Sequence, residues 1–226
     1  MQVRDRATRG LDLHLRRLAA ATIELFDAVL DADRVRAHIR HALGDDHRHA
    51  SVRVYVFGLG AEPSILVAVR PPAQGPAGPQ RLKSVYYERP VAHVKHIGGF
   101  GQAHFGRVAQ RDGFDDALLT GPDGVVSEGA ITNIGFFDGP AIVWPDAPQL
   151  HGITMQLLER QLAARGVPTR RAPVRLADLA GFDAAFVSNS QGIALVSQVD
   201  DVRFPVRPEL LATLTDAYDT VPWDAI

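Results

Sequence analysis

Residues Val126 to Ile134 read VSEGAITNI, and this stretch decides how the middle of the chain is interpreted. Glu128 is the only charged residue between Gly124 and Phe137, and its neighbours are apolar or small. Burying an unpaired carboxylate costs several kcal/mol, so such an acid either faces water or meets a cation or proton donor inside the protein. The residues alone leave two possibilities open: a solvent-facing turn residue and a buried functional group.

Short apolar segments on both sides of this stretch are separated by turn sequences. Gly121-Pro-Asp-Gly124 and Asp138-Gly-Pro140 are typical of hairpin connections, so we predict that the middle of the chain is largely antiparallel sheet. Apolar spacing and alternation predict the remaining elements. The expected helices are 11–30, 35–43, 102–112, 153–165 and 208–218, and the expected strands are 51–57, 64–69, 82–87, 91–94, 117–120, 125–127, 131–137, 141–144 and 184–187.

A proline-rich connection predicts where the chain divides. Residues Arg70 to Gln80 read RPPAQGPAGPQ, which excludes a regular element and is typical of an exposed linker. We therefore expect a small N-terminal domain over 1–72, a connection over 73–80 and a larger C-terminal domain over 81–226.

The composition excludes several classes of function. The 226 residues are 46% hydrophobic with a formal charge of −2, so no global charge favours a nucleic acid or an anionic membrane as partner. The absence of cysteine excludes disulfides, thiolate metal sites and cysteine nucleophiles. No apolar run approaches the roughly 20 residues that span a bilayer. We expect a cytoplasmic protein that binds a small molecule.

The scarcity of lysine draws attention to Lys95. Of the 24 basic residues, only Lys83 and Lys95 are lysines. Arginine stays protonated and cannot be the free amine that attacks an aldehyde, so a lysine can be present for its nitrogen. A coding bias towards arginine explains the same count. Lys95 precedes the glycine-rich segment Gly98-Gly-Phe-Gly101, where a sharp turn is possible. The lysine either points into a cavity or lies in solvent.

Two further segments carry groups that can bind an anion. Gly152-Ile-Thr154 opens an expected helix, where free backbone N–H groups either hold a phosphate or merely cap the helix. Ser188-Asn-Ser190 follows an expected strand and offers hydroxyl donors or a simple turn. We expect no metal at His93, His96 and His104, because no acidic residue lies nearby at ligand spacing.

The order of these segments resembles that of the class IV (fold-type IV) pyridoxal-phosphate aminotransferases, the group that contains branched-chain and D-amino acid aminotransferases and aminodeoxychorismate lyase. The resemblance covers roughly residues 11 to 200. Its motifs are His14-Leu-Arg-Arg-Leu18, Val94-Lys95, Gly113-Phe-Asp-Asp-Ala-Leu-Leu119, the VSEGAITNI stretch, His151-Gly-Ile-Thr154 and Ser188-Asn-Ser190.

The resemblance implies a role for each motif residue. Lys95 becomes the Schiff-base lysine of pyridoxal 5′-phosphate, Glu128 the carboxylate that keeps the pyridine nitrogen protonated, and Asn133 a supporting residue. Arg17 becomes a phosphate ligand. Four further residues are implied in cofactor binding: Ile153, Thr154, Asn189 and Ser190.

The resemblance also implies a fold, a reaction and an assembly. The expected fold is α+β with two domains, a small reduced N-terminal α/β domain and a larger, mostly antiparallel β C-terminal domain flanked by helices. The expected protein is a homodimeric aminotransferase acting on a small amino acid and a 2-oxo acid. Two alternatives remain open: a lyase of the aminodeoxychorismate type, and a cofactor-binding homologue with little turnover.

Three positions depart from the family pattern. Phe100 stands where the family often has a tyrosine whose hydroxyl supports the cofactor's phenolic oxygen, and Tyr86 or Tyr87 could supply that hydroxyl instead. Met155 replaces an arginine after Gly-Ile-Thr, and Leu195 replaces a common proline. The cofactor site is therefore expected to match the family better than the substrate site does.

Overall fold

A computed structural model describes residues 1–58 and 62–226, which form two compact units. The first unit contains residues 1–74 and 221–226, and the second contains residues 75–220. Two short 3₁₀ turns lie at Pro122–Gly124 and Leu176–Gly181. The regular elements are β1 (Gln2–Val3), β2 (Ala7–Arg9), α1 (Leu11–Phe26), α2 (Ala32–Leu43), β3 (Ala50–Gly58), β4 (Pro63–Arg70), β5 (Gln80–Tyr86), α3 (Phe100–Arg111), β6 (Asp116–Thr120), β7 (Val126–Gly129), β8 (Asn133–Phe137), β9 (Ile142–Pro145), α4 (Ile153–Ala164), β10 (Thr169–Ala172), β11 (Ala184–Asn189), β12 (Gly192–Val199), β13 (Val202–Arg203), α5 (Pro208–Asp219) and β14 (Trp223–Ala225).

The first unit packs two amphipathic helices against a three-stranded sheet of order β1-β3-β4. Helix α2 begins where the side chain of Asp31 accepts a hydrogen bond from the N–H of Asp33 at 2.8 Å. Helix α1 ends at Phe26, earlier than expected, because Asp27 adopts a left-handed conformation. The N–H of Asp27 donates to the carbonyl of Ile23 and so closes the helix. Residues 221–226 belong to this unit because β14 pairs with β2, whereas the sequence led us to expect them in the C-terminal domain.

The second unit is built on a nine-stranded sheet of order β10-β9-β8-β11-β12-β5-β6-β7, with β13 attached to β12. Most neighbouring strands are antiparallel, as predicted, but the β10–β9, β12–β5 and β5–β6 pairs are parallel. Apolar side chains cover both faces of the sheet. Helices α4 and α5 contribute to the core on one face, where Trp144 and Phe186 are fully buried.

The predicted strand over 91–94 is wrong. Val91 has a φ of 48°, and the N–H of Val94 donates to the carbonyl of Val91 at 2.9 Å, so these residues form a turn. The side chain of Arg89 donates to the carbonyl of Val94 at 2.6 Å. The apolar spacing of this segment reflects the burial of Ala92 and Val94 within a turn and not strand alternation.

No helix among residues 1–58 and 62–226 is both long and apolar enough to cross a membrane.

Candidate active site

Glu128 lies on β7 with only 4% of its surface exposed, so the solvent-facing interpretation is excluded. Its Oε2 accepts a hydrogen bond from the N–H of Leu150 at 3.3 Å. Its Oε1 lies 3.6 Å from Nη1 of Arg89, and both side chains are about 5% exposed. The carboxylate is therefore buried beside a buried cation.

Three groups act on the charge of this carboxylate. Burial raises the pKa of Glu128, because the low-dielectric interior disfavours the ionised form. The positive charge of Arg89, the N–H of Leu150 and the positive charge of Lys95 oppose this rise in the pKa. Lys95 therefore lies within electrostatic reach of Glu128.

Several buried polar atoms of this region have no hydrogen-bond partner in the part of the chain that the structure describes. They include Oε1 of Glu128, Nε of Arg89 and Oγ of Ser188, which lies on β11 opposite Asn133 of β8. The distance from Oε1 to Arg89 exceeds normal hydrogen-bond length. A buried acceptor without a donor is costly. An N–H group of a ligand would satisfy Oε1, so the residues present fit a protonated ring nitrogen.

Asn133 links Glu128 to the beginning of α4. Its Nδ2 donates to Oε1 of Gln149 at 3.0 Å and to the carbonyl of Leu150 at 2.7 Å. Leu150 is thus held on both sides, because its N–H donates to Glu128 and its carbonyl accepts from Asn133. These bonds fix the segment that leads into α4 relative to the carboxylate.

Gly152, the N-cap of α4, is required by the close approach of Asn133. A Cβ at this position would lie 2.0 Å from Oδ1 of Asn133, which cannot swing away without breaking its two hydrogen bonds. We expect Gly152→Ala to lower the free energy of unfolding by about 1–3 kcal/mol. Urea denaturation measures this, with Gly78→Ala as the control, because a Cβ there has no neighbour within 4 Å. Equal stability of the two variants would contradict the packing argument.

The first turn of α4 presents backbone N–H groups next to the end of β11. Ile153 and Thr154 are buried, and no side chain caps the helix. The hydroxyl of Thr154 donates to the carbonyl of Asn189 at 2.8 Å. Ser190 lies beside Asn189, exposed in the two-residue turn between β11 and β12. A helix N-terminus favours an anion, so this arrangement fits a phosphate.

Asp116 supports the turn that joins β7 to β8. Its carboxylate accepts from the N–H groups of Ala117 and Ile131, while Nε2 of Gln102 donates to the carbonyl of Ala130 at 3.1 Å. Burial raises the pKa of Asp116 to about 6, although both N–H groups oppose the rise.

This raised pKa gives the stability of the protein a pH dependence. The folded state holds the proton of Asp116 more tightly than the unfolded state, so the free energy of unfolding falls as the pH rises from about 4 to about 6 and is then constant. The loss is at most about 3 kcal/mol. Asp116→Asn is expected to remove this component in urea titrations between pH 4 and 8. An unchanged difference between pH 4 and pH 7 in the variant would contradict the assignment.

The remaining predicted residues lie as follows. Lys95 is exposed, between the 91–94 turn and α3, and Arg17 lies half-buried on α1 of the first unit.

Phe100 is 83% exposed, and the hydroxyl of Tyr86 points towards Glu88 on the exposed side of β5. Tyr87 instead packs over Gly101, where a Cβ would lie 2.3 Å from its ring. Of the two tyrosines, Tyr87 is the one beside α3.

The sequence did not reveal three residues that contact Glu128 or Asn133: Arg89, Gln149 and Leu150. Arg89 had a usable signal, because a buried carboxylate in an apolar stretch needs a cation or a proton donor as partner. The main-chain role of Leu150 has no signal in its side chain. Within the described residues, no group of three or more His, Asp or Glu side chains is placed to hold a metal ion.

Comparison with known protein families shows which family this chain belongs to. A family model described as amino-transferase class IV matches residues 1–199. The chain belongs to the class IV aminotransferase family. This confirms the resemblance seen in the sequence motifs. Among curated proteins, none is similar enough to this sequence to count as a match.

Solved structures similar to this class IV aminotransferase share its fold. A candidate 4-amino-4-deoxychorismate lyase from Legionella pneumophila has a TM-score of 0.89 at 20% identity, covering 98% of this chain and 89% of that one. A hypothetical aminotransferase from Mycobacterium tuberculosis, solved with alpha-ketoglutarate and PMP bound, has a TM-score of 0.83 at 24% identity, covering 96% and 86%. The Escherichia coli branched-chain amino acid aminotransferase has a TM-score of 0.82 at 16% identity, covering 97% and 83%. The expected two-domain α+β fold is confirmed.

Proposed function

We propose that this class IV aminotransferase uses pyridoxal 5′-phosphate to transfer an amino group between a small amino acid and a 2-oxo acid. The observation that carries the proposal is the buried carboxylate of Glu128. Its Oε1 has no donor within the described residues, and its Oε2 is tied through Leu150 and Asn133 to the N-terminus of α4. A carboxylate for a ring nitrogen and a helix N-terminus for a phosphate are thus held in one hydrogen-bonded frame. Family membership and the PMP-bound relative support the same cofactor.

Different residues of the protein would bind the cofactor and move the substrate's α-proton. The cofactor supplies an electron-withdrawing ring that stabilises the charge left when the substrate loses its α-proton. Glu128 would hold a proton on the ring nitrogen. Lys95 would hold the cofactor covalently until the substrate amine takes its place, and its released amine would then move the α-proton. The phosphate would be bound by Arg17, by the N–H groups of Ile153 and Thr154, and by the Asn189–Ser190 turn. Anchoring at the phosphate keeps the ring aligned with the amine of Lys95.

A second candidate function is a carbon–carbon lyase of the aminodeoxychorismate type. It is favoured by the structural similarity to the Legionella pneumophila protein, which has the highest TM-score among the structures compared above. The same cofactor-binding residues serve both reactions, so the substrate decides between them.

Two reactions distinguish the functions. Protein loaded with pyridoxal phosphate and mixed with single amino acids is expected to convert its visible band to that of pyridoxamine phosphate, and a 2-oxo acid such as alpha-ketoglutarate is expected to restore it. Pyruvate release from aminodeoxychorismate without this cycle would identify a lyase. Neither reaction in a protein that binds the cofactor would identify a binding homologue with little turnover, the outcome that Phe100 favours.

We also propose that the protein is a cytoplasmic homodimer. Large apolar side chains are exposed on the segment around Lys95: Ile97 is 85% exposed, Phe100 83% and Val91 49%. A second subunit would cover such a patch. Light scattering is expected to give twice the mass of the chain, and Ile97→Asp/Phe100→Asp is expected to give the monomer mass. A monomeric wild-type protein at micromolar concentration would contradict this assembly.

A further inference from the structure

Arg89 contacts both Glu128 and the turn that precedes Lys95. The residue is only 8% exposed. Its Nη1 lies 3.6 Å from Oε1 of Glu128, and its Nη2 donates to the carbonyl of Val94 at 2.6 Å. Val94 immediately precedes Lys95 in the chain. One rigid, planar guanidinium therefore connects the buried carboxylate to the backbone from which the lysine projects.

The long contact between Arg89 and Glu128 stabilises the fold little, but it leaves Oε1 of Glu128 able to accept a bond from a ligand. Burying two charges carries a large desolvation penalty, which is repaid only when the partners form good hydrogen bonds. Here the contact is longer than a hydrogen bond, and both Oε1 of Glu128 and Nε of Arg89 lack a partner within the described residues. Arg89 is thus close enough to favour the ionised carboxylate yet leaves Oε1 available to a ligand.

We infer that Arg89 is a positioning residue that keeps Glu128 ionised for the ring nitrogen and fixes the turn from which Lys95 reaches the same ligand. The inference rests on the proposed function, because it assumes that the cofactor binds between these residues. A lysine at position 89 would preserve the charge, but its single ammonium could not hold the Val94 carbonyl in the same fixed geometry.

The first test is the pH dependence of cofactor binding. Without the cation, burial raises the pKa of Glu128 further, so the carboxylate is protonated at a higher pH. Arg89→Gln is expected to raise the dissociation constant of pyridoxal phosphate at least about tenfold at pH 7. The pH below which affinity is lost should also move up by about one unit or more. Arg171→Gln serves as the control, because Arg171 pairs with Glu159 at the surface.

The second test separates charge from geometry and remains available if Arg89→Gln does not fold. Arg89→Lys is expected to keep the acid limb of the wild-type binding profile. The fraction of cofactor that borohydride fixes to Lys95 should fall at least about threefold, because the Val94 carbonyl is no longer held. Mass spectrometry of the reduced protein measures this fraction.

The possible results differ clearly. A folded Arg89→Gln protein with wild-type affinity, or with affinity weakened equally at every pH, would overturn the inference, and so would an Arg89→Lys protein with wild-type fixation. Failure of the wild-type protein to bind the cofactor would overturn the proposed function itself and the inference with it.

Discussion

Replacing Lys95 with alanine is expected to abolish both covalent attachment of the cofactor and turnover. The amine is the proposed base for the α-proton as well as the point of attachment, so kcat should fall by about 10³-fold or more. The visible band of the cofactor-loaded protein should shift to that of free or non-covalently bound pyridoxal phosphate. Absorption spectra and amino-acid half-reactions measure the two effects.

The chain offers a matched control for this substitution. Lys83 is the only other lysine, and its Nζ pairs with Oδ2 of Asp112 on the second unit. Lys83→Ala should therefore leave the band, the borohydride fixation and the half-reaction unchanged. A wild-type band in Lys95→Ala, or cofactor fixed to Lys83, would show that the assignment of Lys95 is wrong.

The second large effect is expected at the buried pair of Arg89 and Glu128. Glu128→Gln leaves the charge of Arg89 buried without its counter-charge, so the free energy of unfolding should fall by about 3–5 kcal/mol. The double variant Arg89→Met/Glu128→Leu removes both charges and should regain part of that stability, since the Val94 carbonyl and the Leu150 N–H lose their side-chain partners. Both variants should lack turnover, because the ring nitrogen loses its carboxylate. Urea denaturation and the half-reaction measure the two quantities.

A surface pair provides the comparison. Arg171→Gln separates the exposed pair of Arg171 and Glu159 and should change stability by less than about 1 kcal/mol. A double variant at positions 89 and 128 no more stable than Glu128→Gln would contradict the account, since the loss would then come from packing and not from an isolated charge.

Glu128 and Asn133 could be proposed as one motif from the sequence because they are close together in the chain. Glu128 and Asn133 belong to one stretch, and the structure links them through Leu150. Ile153 and Thr154 likewise belong to one motif, but Asn189 lies 35 positions from Thr154 and is brought to it by the hydrogen bond of the Thr154 hydroxyl. Local periodicity also located most helices and strands, since burial on one face of an element repeats with its geometry.

Other features depend on contacts between distant residues or on single backbone angles. The pairing of Arg89 with Glu128 joins residues far apart in the chain, and β14 joins the first unit by pairing with β2. The prediction of a strand at 91–94 was wrong because Val91 has a positive φ, a conformation that a β-branched residue rarely adopts. Apolar spacing carries no information about such an angle. The roles of all the predicted site residues stay predictions: Lys95, Arg17, Glu128, Asn133, Ile153, Thr154, Asn189 and Ser190.

A crystal structure of the protein with pyridoxal phosphate tests the central claim most directly. The account predicts the aldehyde carbon of the cofactor within bonding distance of Nζ of Lys95. It also predicts Oε1 of Glu128 about 3 Å from the ring nitrogen, with the phosphate at the first turn of α4. A cofactor bound elsewhere, or one whose ring nitrogen faces away from Glu128, would contradict it.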